Sequence, residues 1–423
     1  MKNIHKYLSH YADPCIKALD GFPNDIFFVN SVVIPAYKES STFVSGYLNS
    51  SLAQQNTLMV LVINQPDTDT NKYPQQTLHQ DVCAMGKIIW ANESFTLVKS
   101  DKGNSSVLLL DSFTQPIPEK QGVGTARKQG VDTVLALIAD NKIKSDWICS
   151  TDADASLPES YFDSLAEMRS DIYPKIVGAC FNFYHESPDL KVHQANALYE
   201  QALRYYVAGL TYAKSSYNFF TIGSILSFKA KAYAEVRGFP QRSAGEDFYL
   251  LNKLAKLGDI IFLKDHIIKL TARCSDRVPF GTGPAVNQII SLQAQEKEYC
   301  YYHPQVFILL KEVLCAFTTL FDYCSTIEDW LVLLSKEARE GLLSLGFESY
   351  IKKQNAQQQK LSNKKQFYKQ LYIWFDAFKT LKFIHFAKNN YWPDIPLERA
   401  INSAPFELLT EVTKHSDSLN NDS

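Results

Sequence analysis

The stretch S-T-D-A-D-A-S-L-P, residues 150–158, follows directly on the apolar run Trp147-Ile148-Cys149. Two aspartates one residue apart, at the end of what reads as a buried strand, admit two interpretations. Hard divalent cations take oxygen ligands, and Mg²⁺ or Mn²⁺ is commonly bound through one or two carboxylates completed by substrate phosphates. Asp152 and Asp154, at i and i+2 where the chain leaves a strand, can both address one such ion. Alternatively, Asp154 or Ser156 caps a helix that begins near Pro158, proline being favoured in a first helical turn. D-x-D alone does not choose between the two.

On either side of this stretch, from about residue 30 to residue 270, short apolar runs alternate with helical periodicity. Strands are predicted at Ser31–Pro35, Leu58–Ile63, Val107–Leu110, Asp146–Ser150, Ile176–Phe181, Ile222–Phe228 and Asp259–Leu263. A helix is predicted over Gly124–Asn141, with Val131, Val134, Leu135 and Ile138 on one face. Another is predicted over Asp189–Ala213, where Leu198, Ala202, Tyr206 and Leu210 form a stripe. Strand alternating with helix is the pattern of an α/β domain with a largely parallel sheet, whose ligands bind beyond the C-terminal ends of the strands. Two polar stretches that follow strands, 64–76 and 111–122, are read as loops at that edge. Beyond residue 285 the chain turns helical and aromatic-rich, with apolar segments at Pro304–Tyr323 and Phe367–Ala387 separated by an exposed loop at 352–366. The lysines of the Phe367–Ala387 stretch form a narrow stripe. This suits a packed helix with a solvated edge, or a peripheral contact at the inner face of a membrane.

Composition narrows the function classes. Forty-three Lys and Arg against 45 Asp and Glu leave a net charge of −2, which is no footprint for nucleic acid. Eight cysteines are scattered without a C-x-x-C pair, so zinc spacing is absent and a reduced, cytoplasmic protein is expected. No signal-peptide core is evident. No apolar run approaches the roughly 18 residues of a transmembrane segment.

Three further constellations accompany the aspartates. In SVVIPAYKES (31–40) an apolar strand ends at Pro35 and Ala36 and presents Tyr37 and Glu39 at its C-terminal edge; the aromatic suits stacking on a base, or simply supports its loop. In QGVGTARKQG (121–130), glycines before a helix let backbone N–H groups approach an anion. Arg127 and Lys128 there oppose the helix dipole, a placement that favours a nearby anion. In RSAGEDFYLLNKLAKLGDI (242–260), Glu246 and Asp247 open a helix. Acidic residues are favoured there by the dipole, and a carboxylate at a pocket edge also serves as a general base.

Taken in order, VVIPAYKES, GVGTARKQG, STDADASLP and GEDFYLLNKLAKLG resemble the motifs of glycosyltransferase family 2, over roughly residues 30–275. The resemblance implies the A-type glycosyltransferase (GT-A) fold: a Rossmann-like α/β domain with a mixed, mostly parallel sheet flanked by helices and, here, an α-helical C-terminal extension. The expected organisation is an N-terminal helical extension (1–29), the glycosyltransferase domain (30–284), a helical region (285–412) and a disordered tail (413–423). It also implies a nucleotide-diphosphosugar donor held by Asp152, Asp154 and Mn²⁺ or Mg²⁺, with Ala153 between them. Pro35, Ala36, Tyr37 and Glu39 would line the nucleotide, and Arg127 and Lys128 would lie near its base or phosphates. Family chemistry is usually inverting, with Asp247 or Glu246 deprotonating an acceptor hydroxyl whose identity stays open. The family's acid after the second strand is replaced by VINQPD, leaving Asn64 and Asp67 as candidates to contact the base. In ARCSDRVPFGTG (272–283), Arg273 and Arg277 are placed to clamp phosphates, and Gly281 and Gly283 to let a loop move. Two other readings stay open: a sugar-phosphate nucleotidyltransferase, for which G-V-G-T-A-R would be the phosphate loop, and a non-catalytic scaffold of the same fold.

Overall fold

The computed structural model describes residues 2–272, 281–323, 326–358 and 364–408. Two compact units emerge, one built from Met1–Pro188 with Thr221–Pro284, the other from Asp189–Phe220 with the chain from Ala285 onward. The Leu190–Tyr212 helix, expected inside a continuous domain over 30–284, therefore groups with the C-terminal region. Arg273 and Arg277, and the tail 413–423, lie outside the described residues.

The first unit is an α/β structure around one ten-stranded sheet. Its strands are β1 (Asn30–Ala36), β2 (Thr57–Pro66), β3 (Gly86–Ala91), β4 (Phe95–Ser100), β5 (Ser106–Ile117), β6 (Trp147–Ser150), β7 (Ala155–Ser156), β8 (Ile176–Glu186), β9 (Leu226–Lys229) and β10 (Asp259–Thr271). Their spatial order is β3-β4-β5-β2-β1-β6-β9-β8-β10-β7. The long ladders β1–β2, β2–β5 and β8–β10 are parallel, as is β1–β6. The pairs β3–β4, β4–β5, β6–β9, β8–β9 and β7–β10 are antiparallel, so the sheet is mixed. Parallel strands covered on both faces read as unbroken apolar runs, and β2 shows this, with Thr57 through Gln65 all buried.

Helix Gly122–Ala139 lies on β1 and β2 and is buried almost all round. Gly130 permits that approach. A Cβ there would stand 2.4 Å from Val33 Cγ1 and 2.9 Å from Val62 Cγ2. Because β1, β2, β5 and β6 run in parallel, Ala36, Pro66, Ile117 and Ser150 leave the sheet at the same edge. This edge receives the PAYKE, NQPD and STDAD stretches.

Several expectations change. The polar stretches 64–76 and 111–122 are not all loop: β2 runs to Pro66, a helix begins at Tyr73, and β5 continues to Ile117. Backbone pairing there outlasts apolar burial. The hairpin β3–β4 has no counterpart in the predicted strands, its first strand being half-exposed and irregular in register. The start of the Ile222–Phe228 segment is a 3₁₀ turn, Gly223–Ile225, before β9.

The N-terminal helix Lys2–His10 is tied to this unit by a buried carboxylate. Asp132, with no exposed surface, accepts hydrogen bonds from Tyr7 Oη (2.7 Å), Tyr233 Oη (2.9 Å), the Asp13 N–H (2.7 Å) and Lys128 Nζ (2.8 Å). Burial pushes the Asp132 carboxyl upward, against the opposing pull of Lys128.

In the second unit the Leu190–Tyr212 helix is capped by Asp189, whose side chain accepts from the N–H groups of Lys191 and Val192. Its core is aromatic, with Phe317, Trp330, Phe347, Phe375 and Phe383 all buried. The Phe367–Ala387 stretch is two helices, Lys364–Trp374 and Ala377–Asn390, because Asp376 caps the second by accepting from the Lys379 N–H. Its apolar residues Phe367, Leu371, Phe375, Phe383 and Ile384 pack into that core. The region 352–366 is helical as far as Gln358, within the Phe347–Gln358 helix. Among the described residues, no helix is long and apolar enough to cross a membrane.

Asp132→Ala leaves the Lys128 ammonium buried without its carboxylate, and should lower unfolding stability by about 3–5 kcal/mol in urea titrations of the full chain. Gly130→Ala forces a methyl into Val33 and Val62, and should cost about 1–3 kcal/mol in the same measurement.

Candidate active site

Arg127 projects from the second turn of the Gly122–Ala139 helix and is only 3% exposed. Its guanidinium joins two motifs that are far apart in sequence. Nη2 donates to Asp152 Oδ1 at 2.6 Å, and Nε donates to Glu246 Oε1 at 2.9 Å. Nη1 reaches Ser150 Oγ at 3.0 Å and the Thr151 carbonyl at 3.4 Å. Burial works against its charge, but Asp152 and Glu246 outweigh it and hold the group firmly protonated. Gly223 supplies the room, since a Cβ there would lie 2.3 Å from Nη2.

The glycines of QGVGTAR do something other than cradle an anion. The Gly124 N–H donates to the Arg242 carbonyl at 2.9 Å. A Cβ on Gly124 would lie 2.5 Å from the Pro240 carbonyl oxygen and 2.6 Å from that of Arg242. Gly122, at φ +36°, would place one 2.8 Å from Ser243 Cα. These glycines let segment 240–243 close on the helix start. The chain then turns through Gly245, in the left-handed region at φ +70°, into the Glu246–Leu254 helix. Close backbone approach thus delivers Glu246 to Arg127.

The aspartate turn is also built by the backbone. The Ala155 N–H donates to the Asp152 carbonyl (3.2 Å), and the Thr271 N–H donates to that of Asp154 (2.9 Å), as the chain enters β7 beside β10. Asp152, Ala153 and Asp154 are half-buried. Neither Asp154 nor Ser156 is the N-cap of the helix that follows. The next helix begins at Tyr161 rather than at Pro158, and no side-chain cap precedes it.

Asp247 follows Glu246 but differs in environment. Glu246 is 4% exposed and spends its carboxylate on Arg127, whereas Asp247 keeps part of its surface open. Desolvation first, then the neighbouring Glu246 charge, pushes the Asp247 carboxyl up to about 7, against the Phe248 N–H and Arg127, which favour ionisation. A carboxylate titrating near neutrality is suited to accept a proton.

Lys128 does not join this group. One residue along a helix is a rotation of about 100°, and its ammonium goes instead to Asp132 (2.8 Å) and Tyr7 Oη (2.5 Å). At the ends of β1 and β2, Tyr37 Oη donates to Asp69 Oδ2 at 2.7 Å, and Lys38 Nζ reaches the same oxygen at 2.9 Å. Tyr37 and Lys38 together hold the Asp69 carboxyl down at about 2. Neither Asp69 nor the fully buried Gln65 was singled out by the sequence patterns, because both sit in what reads as an unremarkable turn. Asn64 is buried on β2 opposite Ser112, Pro35 and Ala36 are buried at the end of β1, and Glu39 is half-buried. Asp67 Oδ1 accepts from the Glu119 N–H at 2.9 Å.

Among the described residues no group of three or more His, Cys, Asp or Glu side chains is arranged to hold a metal ion. Asp152 and Asp154 stand two residues apart in one half-buried turn, and the Arg127 guanidinium engages Asp152 through Oδ1. That donor set fits a hard cation whose remaining ligands come from phosphates.

No family model matches the sequence, and no curated protein matches it. Solved structures similar to this chain include a mannosyltransferase from Pyrobaculum calidifontis in complex with GDP-Man and Mn²⁺ (14% identity, 92% of this chain and 96% of that one, TM-score 0.34). Another is glucosyl-3-phosphoglycerate synthase from Mycobacterium tuberculosis in complex with Mn²⁺, UDP and glucosyl-3-phosphoglycerate (12% identity, 71% and 88%, TM-score 0.32). A third is a mycobacterial protein (13% identity, 68% and 81%, TM-score 0.29). These are remote similarities, and the functional reading rests on the chain's own residues.

Asp247 carries a stability signature. Its folded-state pKa lies above the unfolded value, so its contribution is intact at low pH and is lost as pH rises from about 4 through about 7. Asp247→Asn should therefore melt at a higher temperature than the parent at pH 8 without divalent ions, with the difference vanishing toward pH 4. Equal melting temperatures at both pH values would contradict this environment for Asp247.

Proposed function

We propose that this chain is a metal-dependent, inverting glycosyltransferase of the family 2 kind, with the A-type fold, moving a sugar from a nucleotide-diphosphosugar to an acceptor hydroxyl. The observation that carries this reading is the Arg127 fork, which gathers the D-x-D turn and the Glu246-Asp247 helix at one edge of the sheet. Three of the four motifs are thereby joined, and the fourth, PAYKE, leaves the sheet beside Ser150, an arrangement that suits a donor site and a base.

In this reading Pro35, Ala36, Tyr37, Glu39 and Asn64 line the nucleotide, with Asp69 anchoring the Tyr37 loop. Ala153 lies beside the sugar-diphosphate, and Arg277 is assigned to its phosphates. Asp152 and Asp154 are the residues that hold the divalent ion. When bound, Mn²⁺ or Mg²⁺ supplies Lewis-acid stabilisation of the charge that develops on the departing diphosphate. The Asp247 carboxylate takes the proton of the acceptor hydroxyl. The acceptor oxygen bonds to the anomeric carbon from the face opposite the diphosphate, whose bond to that carbon breaks, so configuration inverts. Glu246, committed to Arg127, does not compete for the proton. The nucleotidyltransferase alternative needs an open glycine loop for phosphate; here the Gly124 N–H is taken by the Arg242 carbonyl.

Calorimetry and transfer assays with a panel of nucleotide sugars in Mn²⁺ test the reading. Asp152→Ala and Asp154→Ala should each lower metal-dependent turnover by about 10²-fold or more. Asp247→Asn should lower it by about 10²–10⁴-fold while donor affinity holds. If no nucleotide sugar binds, or if both alanine variants keep full metal-dependent activity, the proposal is wrong. Release of pyrophosphate from a nucleoside triphosphate would favour the nucleotidyltransferase instead.

A further inference from the structure

The proposed donor site contains a cation of its own. Arg127 is buried, with one edge of its guanidinium on Asp152 Oδ1 (2.6 Å) and its Nε on Glu246 Oε1 (2.9 Å). Its surroundings are fixed on every side. Ser150 Oγ and the Thr151 carbonyl accept from Nη1, and the Thr151 hydroxyl is itself held by the Ser224 carbonyl at 2.7 Å. Gly223 leaves space only because it has no side chain. A residue merely donating to donor phosphates would present free N–H groups to solvent; this one directs its Nε, Nη1 and Nη2 donors into the protein.

We propose that Arg127 is a resident counter-cation and positioning residue of the D-x-D turn, neutralising Asp152 in the ion-free protein and making divalent-cation binding conditional on a nucleoside diphosphate. This rests on the glycosyltransferase reading of the site and deepens it. A divalent ion placed on Asp152 shares that carboxylate with a guanidinium, and the two positive charges repel at close range in a poorly screened environment. Asp154 and the second oxygen of Asp152 supply too little negative charge to offset this alone. A diphosphate brings the missing charge, so ion and nucleotide enter together. Without Arg127, the Asp152 carboxylate loses the guanidinium that competes with the ion, and the negative charge of the Glu246 side chain that Arg127 also held is left to attract a divalent ion instead of repelling it.

The test is isothermal titration of MnCl₂ into the full chain, alone and in the presence of UDP or GDP, for the parent, Arg127→Met and Glu246→Gln. The parent should bind Mn²⁺ weakly alone and at least tenfold more tightly with one of the nucleotides. Arg127→Met should bind Mn²⁺ alone at least tenfold more tightly than the parent and lose most of the gain from nucleotide. Glu246→Gln keeps the guanidinium but removes a negative charge, and should shift the other way, binding Mn²⁺ alone several-fold more weakly. A merely structural role would weaken binding in both variants. Mn²⁺ affinity in Arg127→Met no higher than the parent's overturns the proposal. If that variant does not melt cooperatively, Arg127→Gln, which keeps a side-chain donor for Asp152 without the positive charge, decides, and Mn²⁺ affinity there no higher than the parent's overturns it. Failure of the parent to bind Mn²⁺ with either nucleotide is a different result, which sinks the glycosyltransferase reading and this inference with it.

Discussion

The buried fork from Arg127 to Asp152 and Glu246 is the constraint around which the first unit is arranged. A guanidinium removed from water is tolerated only when carboxylates with good geometry surround it, and breaking such a pair is costly because the remaining charge stays uncompensated. Satisfying it demands that a helix start, a strand end and a second helix start converge. The parallel order of β1, β2 and β6 supplies the strand end at the right edge. Gly122 and Gly124 supply the close approach of segment 240–243, and Gly223 supplies the volume for the guanidinium itself.

The same fork separates the duties of two adjacent acids. Glu246 and Asp247 occupy the first turn of one helix, where the dipole favours both. What distinguishes them is the direction each side chain takes. Glu246 meets a cation and is fixed. Asp247 is desolvated beside a like charge, which raises its affinity for a proton. One carboxylate is committed to an ion pair and the other has a raised affinity for a proton, although both are acids in the same helical turn.

Much of this was legible in the sequence. The continuous apolar runs marked β1, β2, β5, β6 and β8 because strands covered on both faces have no polar side to interrupt the run. The strand–helix alternation also located the edge of the sheet where the PAYKE, NQPD and STDAD stretches leave it. The sequence did not disclose which of Arg127 and Lys128 faces the aspartates, since consecutive residues on a helix point apart and both are cations. Nor did it disclose that glycines resembling a phosphate loop serve backbone packing, because the carbonyls they admit at Pro240 and Arg242 lie over 110 residues away. The half-exposed first strand of the β3–β4 hairpin lacked the alternation that marks a strand, and the break at Asp376 was hidden within an apolar stretch long enough for one helix.

The Asp132 carboxylate has a consequence for how the chain is made. Its partners come from three separate places: Tyr7 and Asp13 near the start, Lys128 on the same helix, and Tyr233 a hundred residues later. During synthesis the Lys2–His10 segment therefore emerges long before the groups that receive it. Its polar tyrosine has no buried destination until the Gly122–Ala139 helix has docked, and the arrangement closes only after Tyr233 has left the ribosome. Contacts so distant in sequence slow folding and leave early segments waiting. The Lys2–His10 segment is thus translated well before the groups that lock it in place.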